Sequence, residues 1–207
     1  MARLLLVRHA PTPETGRSLT GRLPGHDLSE AGQEMAAALG ERLSTLTLAA
    51  IYTSPLERTR QTAEAIATRQ RKRAARLITN HAGLLEVDYG SWSGRSLRSL
   101  YRLTAWRMVV TAPSRMRFPG GESLVEAQAR AVETCEELAR CHRSGTLAAV
   151  THADIIKAVV SHYLGQPLDL FNRMAVSPAS VTVLDLAAGG PVRVVTLNSN
   201  GDPATWS

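Results

Sequence analysis

The sequence predicts an α/β protein: a three-layer α/β/α sandwich with a mainly parallel central sheet, helices on both faces and an inserted lid region. Three observations lead there. Short apolar runs alternate with helical patterns along the chain. Those runs are continuous rather than alternating, as strands buried on both faces require. A glycine- and proline-rich stretch interrupts the alternation between residues 81 and 121. A chain of 207 residues suits a single domain, 1–207, with that stretch as a substrate-covering excursion.

Taken in order, Leu4-Leu5-Leu6-Val7 is the first strand. Leu28, Met35, Leu39 and Leu43 recur at steps of seven, four and four, which marks one stripe of a helix starting near Ser29. Ala49-Ala50-Ile51-Tyr52 is a second short strand. In Ser54-Pro55-Leu56-Glu57-Arg58, Ser54 is the expected N-cap, Pro55 suits the first helical position and Glu57 completes a capping box. Leu77-Ile78 is a short third strand. Within the excursion, several glycines and prolines surround a short helical stretch near 96–110. Ser123 and Glu126 form another capping box and open a helix carrying Leu124, Ala131, Cys135 and Leu138. Thr146-Leu147-Ala148-Ala149-Val150 is a fourth strand, ending at Thr151-His152-Ala153-Asp154, and Ile155 to Val160 follows as helix. Val181-Thr182-Val183-Leu184 and Val192-Arg193-Val194-Val195 supply a closing pair of strands.

Composition narrows the class. Hydrophobic residues at 44% and charged residues at 20% exclude wholesale disorder. No run approaches the roughly 18 apolar residues of a membrane span. The opening Met1 to His9 has too short an apolar stretch for a signal peptide and no small-residue cleavage site. A soluble, cytoplasmic protein without a membrane partner is expected. Cys135 and Cys141 are six apart in a predicted helix, a rotation of about 600° that points them to opposite sides. Nothing resembles a zinc ligand set. The net charge of +6 leaves three readings: nucleic acid, a small anionic substrate, or a basic surface. The densest basic run, Arg69-Gln70-Arg71-Lys72-Arg73-Ala74-Ala75-Arg76, has no interleaved aromatics, and aromatics are only 4% of the chain. Stacking platforms for bases need them, so the run reads as a solvated helix end and no nucleic-acid partner is expected.

Function is carried by residues at strand ends. Arg8-His9 follows the first strand, Arg58 lies in the first turn after the second, and His152 follows the fourth. Each alone has an ordinary structural reading. In open α/β sheets, however, sites lie beyond the carboxyl ends of the strands, which brings the four to one pocket. A phosphate monoester carries about two negative charges near neutral pH. Two guanidiniums can fork onto its oxygens, and amides at the start of the Ser54-capped helix add partial positive charge. Histidine titrates near pH 6.5, so one imidazole can be neutral and nucleophilic beside a protonated neighbour. The leaving alkoxide needs a proton, and Glu86 in the glycine-bounded excursion is the candidate acid.

These residues carry a resemblance. Leu6-Val7-Arg8-His9-Ala10 resembles the Arg-His-Gly opening of the histidine phosphatase superfamily, the phosphoglycerate-mutase-like fold. Thr53 to Ala63, Leu84 to Gly94, Phe118 to Leu124 and Val150 to Ala153 resemble its later blocks, in family order, over almost the whole chain. The likeness is to small bacterial phosphatases. It implies that His9 attacks phosphorus and becomes the phosphohistidine. Arg8, Arg58 and His152 would hold the phosphoryl oxygens. Glu86 would protonate the leaving group and then deprotonate the hydrolytic water. It implies no metal or cofactor, a small phosphorylated metabolite as partner, and leaves a homodimer open. Two departures stand out. Ala10 and Ala153 replace the glycine after each histidine, and the resemblance implies that Ala153 borders the substrate. Thr15 stands where the family often has a phosphate-contacting asparagine.

The expected activity is hydrolysis by a metal-independent, histidine acid-type phosphomonoesterase. Mutases of the family usually read Glu-Arg-His-Tyr-Gly at the acid block. Here Val87 and Asp88 replace the two cationic residues, and a carboxylate would repel a substrate's second anion. The alternatives are phosphoglycerate-mutase-type transfer and a non-catalytic protein that binds a phosphate ligand or nucleic acid on the same fold. Substrate choice is expected in residues 95–121, which hold Arg95, Arg98, Arg102, Arg107, Arg115 and Arg117.

Overall fold

The computed structural model describes residues 2–71, 77–186 and 190–206. Six strands form one sheet: β1 (Ala2–Arg8), β2 (Leu48–Thr53), β3 (Ile78–Asn80), β4 (Gly145–Thr151), β5 (Val181–Leu186) and β6 (Arg193–Ser199). Their order is β3-β2-β4-β1-β5-β6. β1 runs parallel to β4, β4 to β2, and β2 to β3, while β5 and β6 add an antiparallel flank. Arg8 lies opposite Thr151 at the carboxyl ends of β1 and β4.

The continuous apolar runs are explained by burial on both faces. Leu5 and Val7 of β1 pack with Leu39 and Leu43 of helix α1 (Glu30–Leu43) and Ile66 of α2 (Glu57–Thr68). Leu4 and Leu6 pack on the other face. There they meet Ala131 and Cys135 of α5 (Leu124–Cys141) and Ile156 of α6 (Ala153–Tyr163). Two short helices, α3 (Leu97–Leu100) and α4 (Trp106–Thr111), stand where one helical stretch was expected. Among the described residues, no helix is long and apolar enough to cross a membrane. Cys135 is buried and Cys141 exposed, as their spacing requires. The basic run is described only through Arg71; residues 72–76 lie outside the described set.

Local expectations hold at two helix starts and fail at a third. Ser29 caps α1, and Ser123 with Glu126 forms the full capping box of α5. Ser54 caps nothing. Its amide donates to Val150 O, which extends strand pairing past the end of β2, so α2 starts two residues later than expected, with Leu56 at its N-cap. The stripe on α1 also shifts. Leu28 precedes the helix, so its seven-residue step to Met35 is not a helical one, and Met35 is 40% exposed. Gly32, Ala36 and Gly40 face inward instead. A methyl at Gly40 would sit 2.3 Å from Ala65 O, so α1 and α2 approach too closely for a larger side chain.

The excursion is part of the core. Trp92 stacks on Trp106 at 6.0 Å, and Phe118 meets Tyr89 edge-on at 4.8 Å. These aromatics join the α5–α6 side of the core, because side chains of this size need burial.

Candidate active site

The carboxyl ends of β1 and β4 deliver an imidazole pair. His9 and His152 face each other edge-on, ring centroids 5.2 Å apart. His9 Nδ1 lies 2.8 Å from Ala10 O, and since a carbonyl only accepts, Nδ1 carries the proton and Nε2 the free lone pair. Burial, reinforced by Arg58, lowers the His9 pKa to about 3, so the ring is neutral. His152 is also held neutral, by burial first and then by Arg58. Its Nε2 bonds Ser54 Oγ at 3.0 Å, and Arg58 Nη2 approaches its Nδ1 at 3.4 Å. The sequence leads one to expect a protonated neighbour; both rings are neutral instead, because they are buried beside Arg58 and Arg8.

Arg58 is 1% exposed, yet its Nε and Nη1 have no protein partner; Nη2 donates to Gly21 O at 2.7 Å. Arg8 donates from Nη1 to Val176 O at 2.6 Å and leaves its Nε buried and unpartnered. A buried charged donor without an acceptor costs about 1–3 kcal/mol or more, so these groups are arranged for an anion. Ala153, at the first position of α6, also lines the pocket and adds that helix's positive N-terminal end. The helix start at the pocket is therefore that of α6; of α2, only Arg58 lines it. Neither Ala10 nor Ala153 has a positive φ, so alanine is accommodated at both glycine positions.

Glu86 completes the group. Its Oε2 lies 3.9 Å from His152 Nδ1, within ion-pair range. It is no fixed ion pair, however, because the His152 ring is held neutral, while burial, aided by Asp154, raises the Glu86 pKa to about 7. The loop that carries Glu86 is clamped from behind. Glu122 Oε1 accepts from Arg22 Nη2 (2.8 Å), Arg130 Nη2 (2.8 Å) and the Asp88 amide (2.9 Å). Arg22 Nε donates to Glu86 O, and Arg130 Nη1 donates to the carbonyls of Gly83 and Leu85. Gly90 (φ +53°) and Gly121 let the backbones cross, since a methyl at Gly121 would sit 2.1 Å from Asp88 O.

The cavity, about 180 Å³, is lined by Arg8, His9, Arg58, Glu86, Tyr89, Ala153 and Asp154, and by the loop from Thr12 to Gly21. Thr15 is in that wall, its Oγ1 accepting from the Thr12 amide at 2.9 Å. Of the predicted site residues, Arg8, His9, Thr15, Arg58, Glu86 and Ala153 line this pocket, while His152 is fully buried behind the wall, in edge-on contact with His9. Two expectations fail. No residue from 95–121 lines it, the six arginines there included; of the excursion 81–121, Glu86 and Tyr89 do. Asp88 does not line it either; its carboxylate turns to the Gly90 amide and toward Arg22, and Val87 is buried in the core. Residues the sequence reading missed are Ser54, Glu14, Asp154 and Glu122. Asp154 accepts from Tyr89 Oη at 2.8 Å and pairs with Lys157 at 3.2 Å.

Fold and pocket together define the class: an α/β phosphatase built around a histidine pair. The chain belongs to the histidine phosphatase superfamily (branch 1), whose pattern it matches over residues 4–200. Phosphoserine phosphatase 1 of Hydrogenobacter thermophilus is 32% identical over 191 residues, 90% of this chain and 87% of that one. "Probable phosphoglycerate mutase GpmB" of Salmonella choleraesuis is 32% identical over 193 residues, 89% and 85% of the two chains. The structure of YhfR from Bacillus stearothermophilus superposes with a TM-score of 0.89 at 28% identity, covering 97% of this chain and 98% of that one. Identity alone favours neither the phosphatase nor the mutase name.

Proposed function

We propose that the protein is a metal-independent phosphomonoester hydrolase acting through a phosphohistidine intermediate on a small phosphorylated metabolite. The observation that carries this is the bare Nε2 of His9 beside unpartnered guanidinium N–H groups, with a carboxyl of raised pKa at the neighbouring imidazole. In the first half-reaction His9 Nε2 bonds to phosphorus, the P–O ester bond breaks, and the Glu86 carboxyl gives its proton to the departing alkoxide. In the second, Glu86 takes a proton from water, the oxygen attacks phosphorus, the N–P bond breaks and inorganic phosphate leaves. Arg8 and Arg58 meet the charge on the phosphoryl oxygens. A bound dianion raises the affinity of His152 for a proton, which then stabilises the transition state from Nδ1. Cytoplasmic placement is part of the same reading.

The test is hydrolysis of p-nitrophenyl phosphate with and without EDTA, together with acid-quench trapping of the phosphoenzyme. Activity should survive the chelator, and His9→Ala should abolish both turnover and trapping. Activity lost to EDTA would reject the mechanism, as would residual His9→Ala turnover within about tenfold of wild type. Isomerisation of 3-phosphoglycerate with a bisphosphoglycerate primer, faster than phosphate release, would replace hydrolysis with transfer.

A further inference from the structure

The substrate-facing loop, Thr12 to Gly21, brings hydroxyls and one carboxylate to the pocket and no cation. The positive charges lining the cavity are Arg8 and Arg58, and a phosphoryl dianion uses both. Of the three carboxyl groups there, Glu86 serves as the acid and Asp154 is compensated by Lys157 and the Tyr89 hydroxyl. Glu14 is different. It accepts one hydrogen bond, from Ser18 Oγ at 2.6 Å, and makes no ion pair among the described residues. One uncompensated negative charge therefore borders a cavity whose buried Arg58 already marks it as a ligand site.

We propose that Glu14 is a specificity-determining residue that selects phosphomonoesters whose alcohol portion bears an ammonium group. This rests on the phosphatase reading above. An ammonium brings three donors and no acceptor, which suits a carboxylate that shares the pocket wall with the Thr15 and Ser18 hydroxyls. A neutral polyol satisfies the hydroxyls but leaves the charge of Glu14 unmet. A carboxylate or second phosphate is repelled by it. The cavity of about 180 Å³ is smaller than the roughly 300–1,000 Å³ of pockets for drug-sized ligands, so the alcohol portion is small.

Phosphate release from phosphoethanolamine, glycerol 3-phosphate and 3-phosphoglycerate tests this, with p-nitrophenyl phosphate as the reference for a folded, competent enzyme. In wild type, kcat/KM should fall in that order. Glu14→Gln should shrink the phosphoethanolamine to 3-phosphoglycerate ratio by about five- to tenfold, mainly through KM for the ammonium substrate. Glu14→Lys should reverse the order. If a variant fails on the reference ester, the wild-type ratio measured against rising KCl replaces it and should fall as salt screens Glu14. A flat or reversed order in wild type would overturn the assignment. So would a ratio that Glu14→Gln, or salt, leaves within about twofold. In both cases reference-ester turnover keeps the phosphatase reading intact. Failure of wild type on the reference ester itself would remove both.

Discussion

At the scale of single residues, the chemistry turns on protonation states set by burial. Glu86 is pushed up to about 7, so below that pH it holds the proton a leaving alkoxide needs, and above it that capacity is lost. For an alkyl phosphate, kcat/KM should therefore fall about tenfold per pH unit above pH 7, while an activated aryl ester stays nearly flat. Glu86→Gln should remove that limb and slow the alkyl ester by about 10²–10⁴-fold, sparing the aryl ester. Equal losses on both esters would mean that Glu86 is not the acid. His9, Arg8, Arg58 and His152 were legible because strand ends announce themselves in the apolar pattern. Ser54 and Glu14 were not. Ser54 satisfies every local rule for a helix cap, and only its distance of 3.0 Å from His152, far along the chain, shows what the hydroxyl does. Glu14 sits in a loop whose register no periodicity fixes.

At the scale of elements, the acid loop depends on a residue that never touches the pocket. Glu122 gathers two arginines and an amide on one oxygen, and those arginines hold the carbonyls around Glu86. Glu122→Gln keeps the shape and removes the charge. We expect a loss of about 1.5–3 kcal/mol in stability, read as a melting shift of roughly 4–10 °C. A purely structural role would stop there. Positioning of Glu86 predicts in addition that alkyl esters lose about tenfold more activity than aryl esters and that the limb near pH 7 moves. The sequence placed residues 81–121 over the substrate because their glycines and prolines resemble a lid. Their aromatics mattered more: Tyr89, Trp92 and Phe118 are buried, which makes the excursion a scaffold for Glu86.

At the scale of the whole molecule, the two-faced burial of β1 was readable from four consecutive apolar residues, but the order of the strands was not. Strand order is fixed by contacts distant in sequence, such as the fork of Arg3 onto Asp185 (2.7 and 3.0 Å), which ties β1 to the antiparallel flank. Arg3 holds the Asp185 pKa below its ordinary value. The pair's contribution is present above that ordinary value and is lost as pH falls through the lowered one. Asp185→Asn should lower the urea-unfolding free energy by about 1.5–3 kcal/mol at pH 7, with the gap to wild type closing below about pH 4. An unchanged gap in acid would assign the effect to packing. The pairing of β1 with β4 has a consequence for biosynthesis. One imidazole leaves the ribosome almost at once and the other only after the chain has grown through β4. A chain truncated before β4 lacks His152 together with the strand that joins β1 to β2 in the sheet.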